Sequence, residues 1–210
     1  MADLAALTAA IEAGDRATAV AVTREAVEEG LDPRTVLAAM TAAMETIGAK
    51  FQCQEIYVPE MLISARAMKE ATAVLEPVLV RAGIRPEHTA VLGTIRGDLH
   101  DIGKNLVGMM WKGANIEVID LGTNVTPERF VEAARDHDAH LVGISALLTT
   151  TMVGMRDVVA AIRAADLGNV KVIVGGAPVT QDFADMIGAD GYASDAASAV
   201  EAARQALRAG

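Results

Sequence analysis

The spacing of apolar and polar positions changes once along the chain. Up to about residue 85, apolar residues recur at three- and four-residue steps: Leu4, Leu7, Ile11, then Val20, Val22, Ala26, Val27, then Val36, Leu37, Met40, Met44, Ile47. This is the spacing of one face of a helix. Gly14-Asp15, Gly30 and Asp32-Pro33 punctuate these runs, with Asp32 placed to cap a third helix and Pro33 at its first position. A fourth run starts near Val58-Pro59 and continues through Met61, Leu62, Ala65, Met68, Leu75 and Val78. Pro77 lies late in it, which predicts a kinked or frayed last turn. Four helices joined by short turns predict a small antiparallel bundle over residues 1–85.

A charged linker with Gly83 and Pro86 (residues 81–88) follows, and then the pattern alternates. Short aliphatic, β-branched runs at 89–95, 116–121, 141–145, 170–174 and 191–193 predict strands. Helical stretches at 103–112, 127–137, 150–165, 180–187 and 196–209 separate them. Near-continuous apolar strands alternating with helices imply a parallel sheet covered on both faces. Five such strands over residues 86–210 fit a flavodoxin-like, doubly wound α/β domain of Rossmann-like type. In such sheets ligands sit beyond the carboxyl ends of the strands, at the point where strand order reverses. The chemistry is therefore to be sought in the loops after Ile95, Leu121, Ser145, Val174 and Ala193.

Composition narrows the picture. The 210 residues are 52% hydrophobic but only 3% aromatic, so the core is aliphatic, with methionine as filler. The formal net charge of −10 argues against a nucleic-acid partner and against an anionic membrane surface. The single cysteine, Cys53, forms no internal disulfide and is expected to be structural. Met1-Ala2-Asp3-Leu4 is not a basic segment leading into an apolar run, and no stretch approaches the ~20 apolar residues of a spanning helix. A soluble, cytoplasmic protein is expected.

The first of the five loops carries the most information. Arg96-Gly97-Asp98-Leu99-His100-Asp101-Ile102-Gly103-Lys104-Asn105 follows a strand and opens a helix. It has neither the dinucleotide fingerprint nor the Walker spacing. It offers an imidazole next to carboxylates between glycines. A metal-binding histidine usually gives its second ring nitrogen to a carboxylate or carbonyl, and Asp98 or Asp101 can serve. Taken alone, a loop histidine is most often an ordinary surface residue. His88, His137 and His140 show no ligand spacing and are expected to be exposed.

Asp98-x-His100-x-x-Gly103 resembles the Asp-x-His-x-x-Gly signature of cobalamin-binding domains in cobalamin-dependent methionine synthase, corrinoid methyl-carrier proteins and several mutases. The family's Ser-x-Leu element is matched by Ser145-Ala146-Leu147, followed by Thr149 and Thr151. Its paired glycines are matched by Gly175-Gly176. The bundle half is similar to the helical cap of methionine synthase and the methyl carriers, at residues 51–60 and 64–69. Mutase domains usually lack this cap, so the resemblance favours methyl transfer.

The resemblance implies a cofactor, cobalamin cycling between methylcobalamin and cob(I)alamin, bound base-off with His100 on cobalt. It implies cofactor contacts at Gly97, Asp98, Leu99, His100, Asp101, Ile102, Gly103, Ser145, Leu147, Thr149, Thr151, Gly175 and Gly176, and by weaker analogy at Ala196. Asp98 would accept the second N–H of His100, and Thr151, where the family often has serine, would extend the relay. Phe51 and Val58 of the cap would lie over the reactive face, with Tyr57 and Met61 as lesser candidates and the linker as hinge. The helix starts after Thr180 and Asp195 are possible partners for phosphate or propionamide groups. One of Thr149, Thr150 and Thr151 is also expected to cap the following helix.

The implied role is a corrinoid methyl-carrier subunit, itself without a separate substrate domain. It would work between a substrate-specific methyltransferase and a second methyltransferase with a folate or thiol acceptor, with a reductive activation protein as a possible further partner. Methylamines, betaines, methanol and methoxylated aromatics are the family's donors, and no residue here selects among them. Two other readings are a cobalamin-dependent sensor and a small subunit of an adenosylcobalamin-dependent mutase. The first would pair these domains with a DNA-binding module, for which this acidic chain has no evident segment.

Overall fold

The computed structural model describes residues 2–208. They form two compact units, one running to Pro86 with Gly113–Asn115, the other comprising Glu87–Lys112 and the remainder from Ile116.

The first unit is an all-helical bundle of α1 (Leu4–Glu12), α2 (Arg16–Glu28), α3 (Pro33–Gln52) and α4 (Val58–Arg81). Asp3, Asp15 and Asp32 cap the first three helices through their carboxylates, and Pro33 opens α3. Glu60 accepts the Tyr57 N–H at the start of α4. Leu7, Ile11, Met40, Ile47, Met61 and Leu75 form the centre of the core. Three expectations need correction. In α2 the buried stripe is Ala19, Thr23 and Ala26, with the valines only half-buried beside it. Small residues hold the inner line, and the Thr23 hydroxyl is satisfied by the Ala19 carbonyl at 2.7 Å. Nor does α4 fray at Pro77: it runs on to Arg81. Pro77 is exposed, so the carbonyl it leaves without a helical partner meets water, and buried Leu75 and Leu79 anchor the helix on either side. Cys53, expected to be structural, is an exposed C-cap residue of α3.

The second unit is a five-stranded parallel sheet in the order β2-β1-β3-β4-β5. Its strands are β1 (His88–Thr94), β2 (Ile116–Asp120), β3 (Leu141–Ser145), β4 (Lys171–Gly175) and β5 (Gly191–Ala193). This is the expected flavodoxin-like winding. Helices α5 (Ile102–Gly113) and α10 (Ser198–Arg208) share one face, linked by the Trp111 indole N–H to the Ala199 carbonyl at 2.9 Å. On the other face α6 (Pro127–Asp136), α8 (Met155–Ala164) and α9 (Gln181–Ile187) bury Phe130, Met155, Val158 and Ile162 against Val91, Val142, Val172 and Val174. Two strand glycines make room for the rings. A Cβ on Gly93 would lie 2.8 Å from Phe130, and one on Gly143 would lie 2.6 Å from Trp111. Of the helix expected over 196–209, Ala209 lies outside the described residues.

The helix expected over 150–165 is two helices. A single turn, α7 (Thr149–Met152), ends at Val153-Gly154 before α8 begins. None of the three threonines caps it, because its N-cap is Leu148 and they lie within the turn. His88 is not simply exposed either. Its ring is half-buried, edge-on to His140 at 5.3 Å, and exposed His140 accepts the Thr89 N–H through Nδ1.

The position of the reversal in strand order matters most for function. It falls at β1, whose neighbour on one side is β2 and on the other β3. The loops after β1 and β3 therefore leave the sheet side by side and open a crevice. The register aligns Thr94 with Ser145, Ser145 with Gly175, and Gly175 with Ala193. The motifs read from sequence thus end consecutive strands in one row.

Candidate functional site

Asp98 organises this edge. Its side chain is fully buried, 0% exposed, between the loop after β1 and the loop after β3. Oδ1 accepts the His100 backbone N–H at 3.1 Å and faces His100 Nδ1 at 2.7 Å. Oδ2 accepts the Leu147 N–H at 2.8 Å, the Leu148 N–H at 3.3 Å and the Thr151 hydroxyl at 2.8 Å. Burial pushes the carboxyl pKa up. The Leu147 N–H, the His100 ring and N–H, and the Thr151 hydroxyl outweigh burial and hold it well below the usual carboxylate range. Asp98 is therefore an anion at any ordinary pH.

The consequence for His100 is a fixed ring. Nδ1 is committed to Asp98, so Nε2 is the nitrogen left for a ligand, and the side chain is 53% exposed. Between Asp98 and Asp101, the structure selects Asp98 as the carboxylate partner. Asp101 instead begins α5, its carbonyl accepting the Asn105 N–H at 2.8 Å and its carboxylate the Asn105 side-chain amide at 3.1 Å.

The second and third motif elements touch the first. Leu147 contributes its N–H to Asp98 while its side chain remains exposed. Ser145 ends β3 half-buried and Thr149 is exposed in α7. Ala146 donates its N–H to the Gly175 carbonyl at 3.2 Å. Gly176 has φ +127°, and a Cβ there would lie 1.8 Å from the Ala146 carbonyl oxygen. A Cβ on Gly175 would lie 2.8 Å from the Ala193 carbonyl oxygen. Only glycine fits at Gly176, where both backbone conformation and space exclude a side chain.

Gly103 is different: a Cβ there would meet no neighbour within 4 Å. It faces outward, at the start of α5, and packing within the chain does not explain it. Leu99 and Ile102, either side of the loop, are 73% and 76% exposed, and Leu147, Leu148 and Val153 are also exposed. A tethered imidazole, an apolar rim and a row of small residues fit a large flat group whose metal already holds equatorial ligands. A single protein donor suffices for such a metal.

Ala196 is buried rather than open to the edge. The helix start after Asp195 is not available to an anion: the Asp195 carboxylate already accepts the Ala197 and Ser198 N–H groups at 2.9 and 2.8 Å. At α9 the Thr180 hydroxyl takes the Phe183 N–H at 3.2 Å. In the helical unit Phe51 and Val58 are half-buried near the turn between α3 and α4, where Tyr57 is exposed.

Sequence reasoning missed a second set of residues around the loop. The Thr94 hydroxyl donates to the His100 carbonyl at 3.0 Å. The Asn124 side chain accepts the Gly97 N–H at 2.8 Å, and its own N–H donates to the Asp98 carbonyl at 3.0 Å. Lys104 is buried and bonds both carboxylate oxygens of Asp120 at 2.6 Å. Two signals were present in the sequence. A lysine in the first turn of a helix opposes the helix dipole and calls for a partner. The polar run Asp120–Asn124, with left-handed Gly122 and Asn124, follows a strand end directly.

No helix among the described residues is long and apolar enough to cross a membrane. A model of the B12 binding domain matches residues 88–201, and a second, also described as a B12 binding domain, matches residues 4–76. A corrinoid protein of Desulfitobacterium hafniense (strain Y51) is 40% identical over 206 residues, covering 96% of this chain and 95% of its own. Dimethylamine corrinoid protein 3 of Methanosarcina acetivorans is 39% identical over 198 residues, covering 94% of this chain and 89% of its own. Among solved structures, a cobalamin-binding protein from Desulfitobacterium hafniense DCB-2 superposes with a TM-score of 0.83 at 28% identity, covering 98% of this chain and 99% of that one. A chain of the methanol:cobalamin methyltransferase complex MtaBC from Methanosarcina barkeri gives 0.87 at 27% identity, covering 99% and 80%. The bundle and the parallel sheet are thus those of a known cofactor-binding architecture, and the chain belongs to the B12-binding corrinoid protein family.

Proposed function

We propose that this chain carries a methyl group on the cobalt of a corrinoid, between a substrate-specific methyltransferase and a second methyltransferase with a folate or thiol acceptor. The observation that carries the reading is the His100 ring, tethered by Nδ1 to a buried, anionic Asp98 with Nε2 at the open edge of the sheet. When bound, the corrinoid supplies a cobalt centre that accepts a methyl group from one partner and yields it to the next.

The chain's residues do the rest. His100 would bind the cobalt of the corrinoid through Nε2. Asp98 would keep the ring in one tautomer and orientation and offer it a balancing negative charge. Thr151 holds the second carboxylate oxygen, so that Asp98 cannot turn away. Exposed Leu99, Ile102 and Leu147 would offer apolar contact to the corrinoid, alongside Gly97, Asp101 and Gly103. Ser145, Thr149, Gly175 and Gly176 line the strand ends where the nucleotide tail would lie, with hydroxyls on one side and bare backbone on the other; buried Ala196 is the least direct of these contacts. Phe51 and Val58 are the proposed lid residues of the helical unit, excluding water from the reactive face. Residues 1–85 and 86–210 are the proposed cap and cofactor domains.

The relatives support the carrier reading. They include dimethylamine and trimethylamine corrinoid proteins, and a structural neighbour comes from a methanol methyltransferase complex. Reconstitution with hydroxocobalamin, reduction, and addition of methyltransferase fractions with methylamines or methanol tests it. The expected result is methylation of cobalt, seen as an absorption change, with one donor and its cognate enzyme. Native protein isolated with bound adenosylcobalamin, and inert to every methyl donor, would sink it.

A further inference from the structure

Lys104 belongs to the same loop-to-helix segment as His100, but its ammonium is turned to Asp120 and Asn105. It stands in the first turn of α5, its side chain 1% exposed. An unpaired ammonium there would be strongly unfavourable. It is fully paired: Nζ lies 2.6 Å from each Asp120 oxygen and 2.8 Å from Asn105 Oδ1. Asp120 is the last residue of β2, opposite Leu92 of β1.

From this pair, bonds run to the histidine loop along two routes. On the strand side, Asp120 Oδ1 accepts the Gly122 N–H at 2.9 Å, and the Gly122 carbonyl accepts the Thr94 N–H at 2.9 Å. Thr94 then donates its hydroxyl to the His100 carbonyl at 3.0 Å. On the helix side, Asn105 accepts from Lys104 and donates to the Asp101 carboxylate at 3.1 Å. The His100 carbonyl and the next residue, Asp101, are therefore both tied to the end of β2 and the turn after it. That turn lies across β1 from the Asp98 contacts with the loop after β3.

We propose that the ion pair of buried Lys104 with part-exposed Asp120 is a positioning device for His100, setting the height of the imidazole above the sheet edge so that it would reach the cobalt of a bound corrinoid. This rests on the corrinoid reading above. Asp98 fixes which way the ring turns. The lysine pair fixes where the loop carrying it sits.

Lys104→Met removes the ammonium but keeps length and burial, and Asp120→Asn removes the charge but keeps shape. Wild type and both variants, labelled with ¹⁵N-histidine, are reconstituted with hydroxocobalamin and reduced by one electron. Two quantities are read: corrinoid retained after gel filtration, and the fraction of cobalt showing a histidine nitrogen coupling in the electron paramagnetic resonance spectrum. Retention is expected to stay close to wild type, while the histidine-bound fraction falls roughly tenfold, the scale seen when the supports of a metal ligand are removed. Unchanged coupling in both variants overturns the proposal. So does a parallel loss of retention and coupling, or failure of both variants to fold, since either makes the pair general scaffold. If wild type itself shows no histidine coupling, the corrinoid reading through His100 fails and this proposal fails with it. If wild type shows it and the variants match, only the role of the pair is lost.

Discussion

Two loops at the same sheet edge are built in opposite ways. The loop after β1 is dense with polar bonds around a buried carboxylate. The loop after β4 works through what it lacks: Gly175 and Gly176 let backbone approach backbone with no side chain between. The first loop spends its residues on orienting one exposed group, His100. The second clears a path beside it. A site for a ligand with a metal at one end and a long tail at the other needs both, and the parallel register sets them two strands apart. The comparison also separates stability from chemistry, because Asp98 and Gly176, fixed by the fold, shape the edge, while the exposed His100 ring is the group left free to bind.

Substitutions can sharpen or break that separation. The largest expected effect on folding is Gly176→Ala. With φ at +127° and a Cβ placed 1.8 Å from the Ala146 carbonyl, the loop must rebuild. A loss of about 3 kcal/mol in urea unfolding is expected, at the upper end for backbone strain. A loss below ~1 kcal/mol would show that the loop has room that the geometry denies.

Asp98→Ala comes next, at roughly 2 kcal/mol, because it leaves the Leu147 N–H and its companions without their acceptor. Its pH dependence has a definite sign. The folded-state pKa of Asp98 is depressed, so its stabilisation is fully present above the unfolded value of about 4 and is lost as pH falls towards the folded value. The stability gap between wild type and Asp98→Asn should therefore be constant from pH 5 to 7 and narrow below about pH 4. A gap that narrows towards neutral pH instead would contradict the assignment.

Thr151→Val removes one donor of five and should cost about 1 kcal/mol, with Thr151→Ser close to wild type. His100→Ala should change stability least, within about 0.5 kcal/mol, because the ring is exposed and Asp98 keeps its other donors. Its effect on the cofactor should be the reverse: the His-on absorption spectrum should vanish. If His100→Ala retains that spectrum, the contrast between the two loops loses its chemical meaning.

Much of this was legible in the sequence, for physical reasons that differ by region. All five strands were placed to within a residue at either end, because buried parallel strands are continuous apolar runs between turn residues. The three motif loops were legible because short chemical signatures sit at strand ends. What escaped was set by contacts between distant segments. The apolar period runs unbroken through residues 150–165, yet the helix breaks at Val153-Gly154, after a turn whose Leu148 and Thr151 bond to Asp98. The alanine stripe of α2 was hidden by more hydrophobic neighbours. Lys104 and Asp120, sixteen residues apart, meet only because β1 and β2 pair in parallel.

The crowding of donors around Asp98 also bears on how the site comes apart. One carboxylate serves N–H groups on two separate loops, so neither loop can leave its partner intact. Partial openings are then few, and the two loops should behave as a single cooperative unit. The amide protons of His100 and Leu147, 47 positions apart in the chain, should exchange with solvent through one shared event rather than two independent ones.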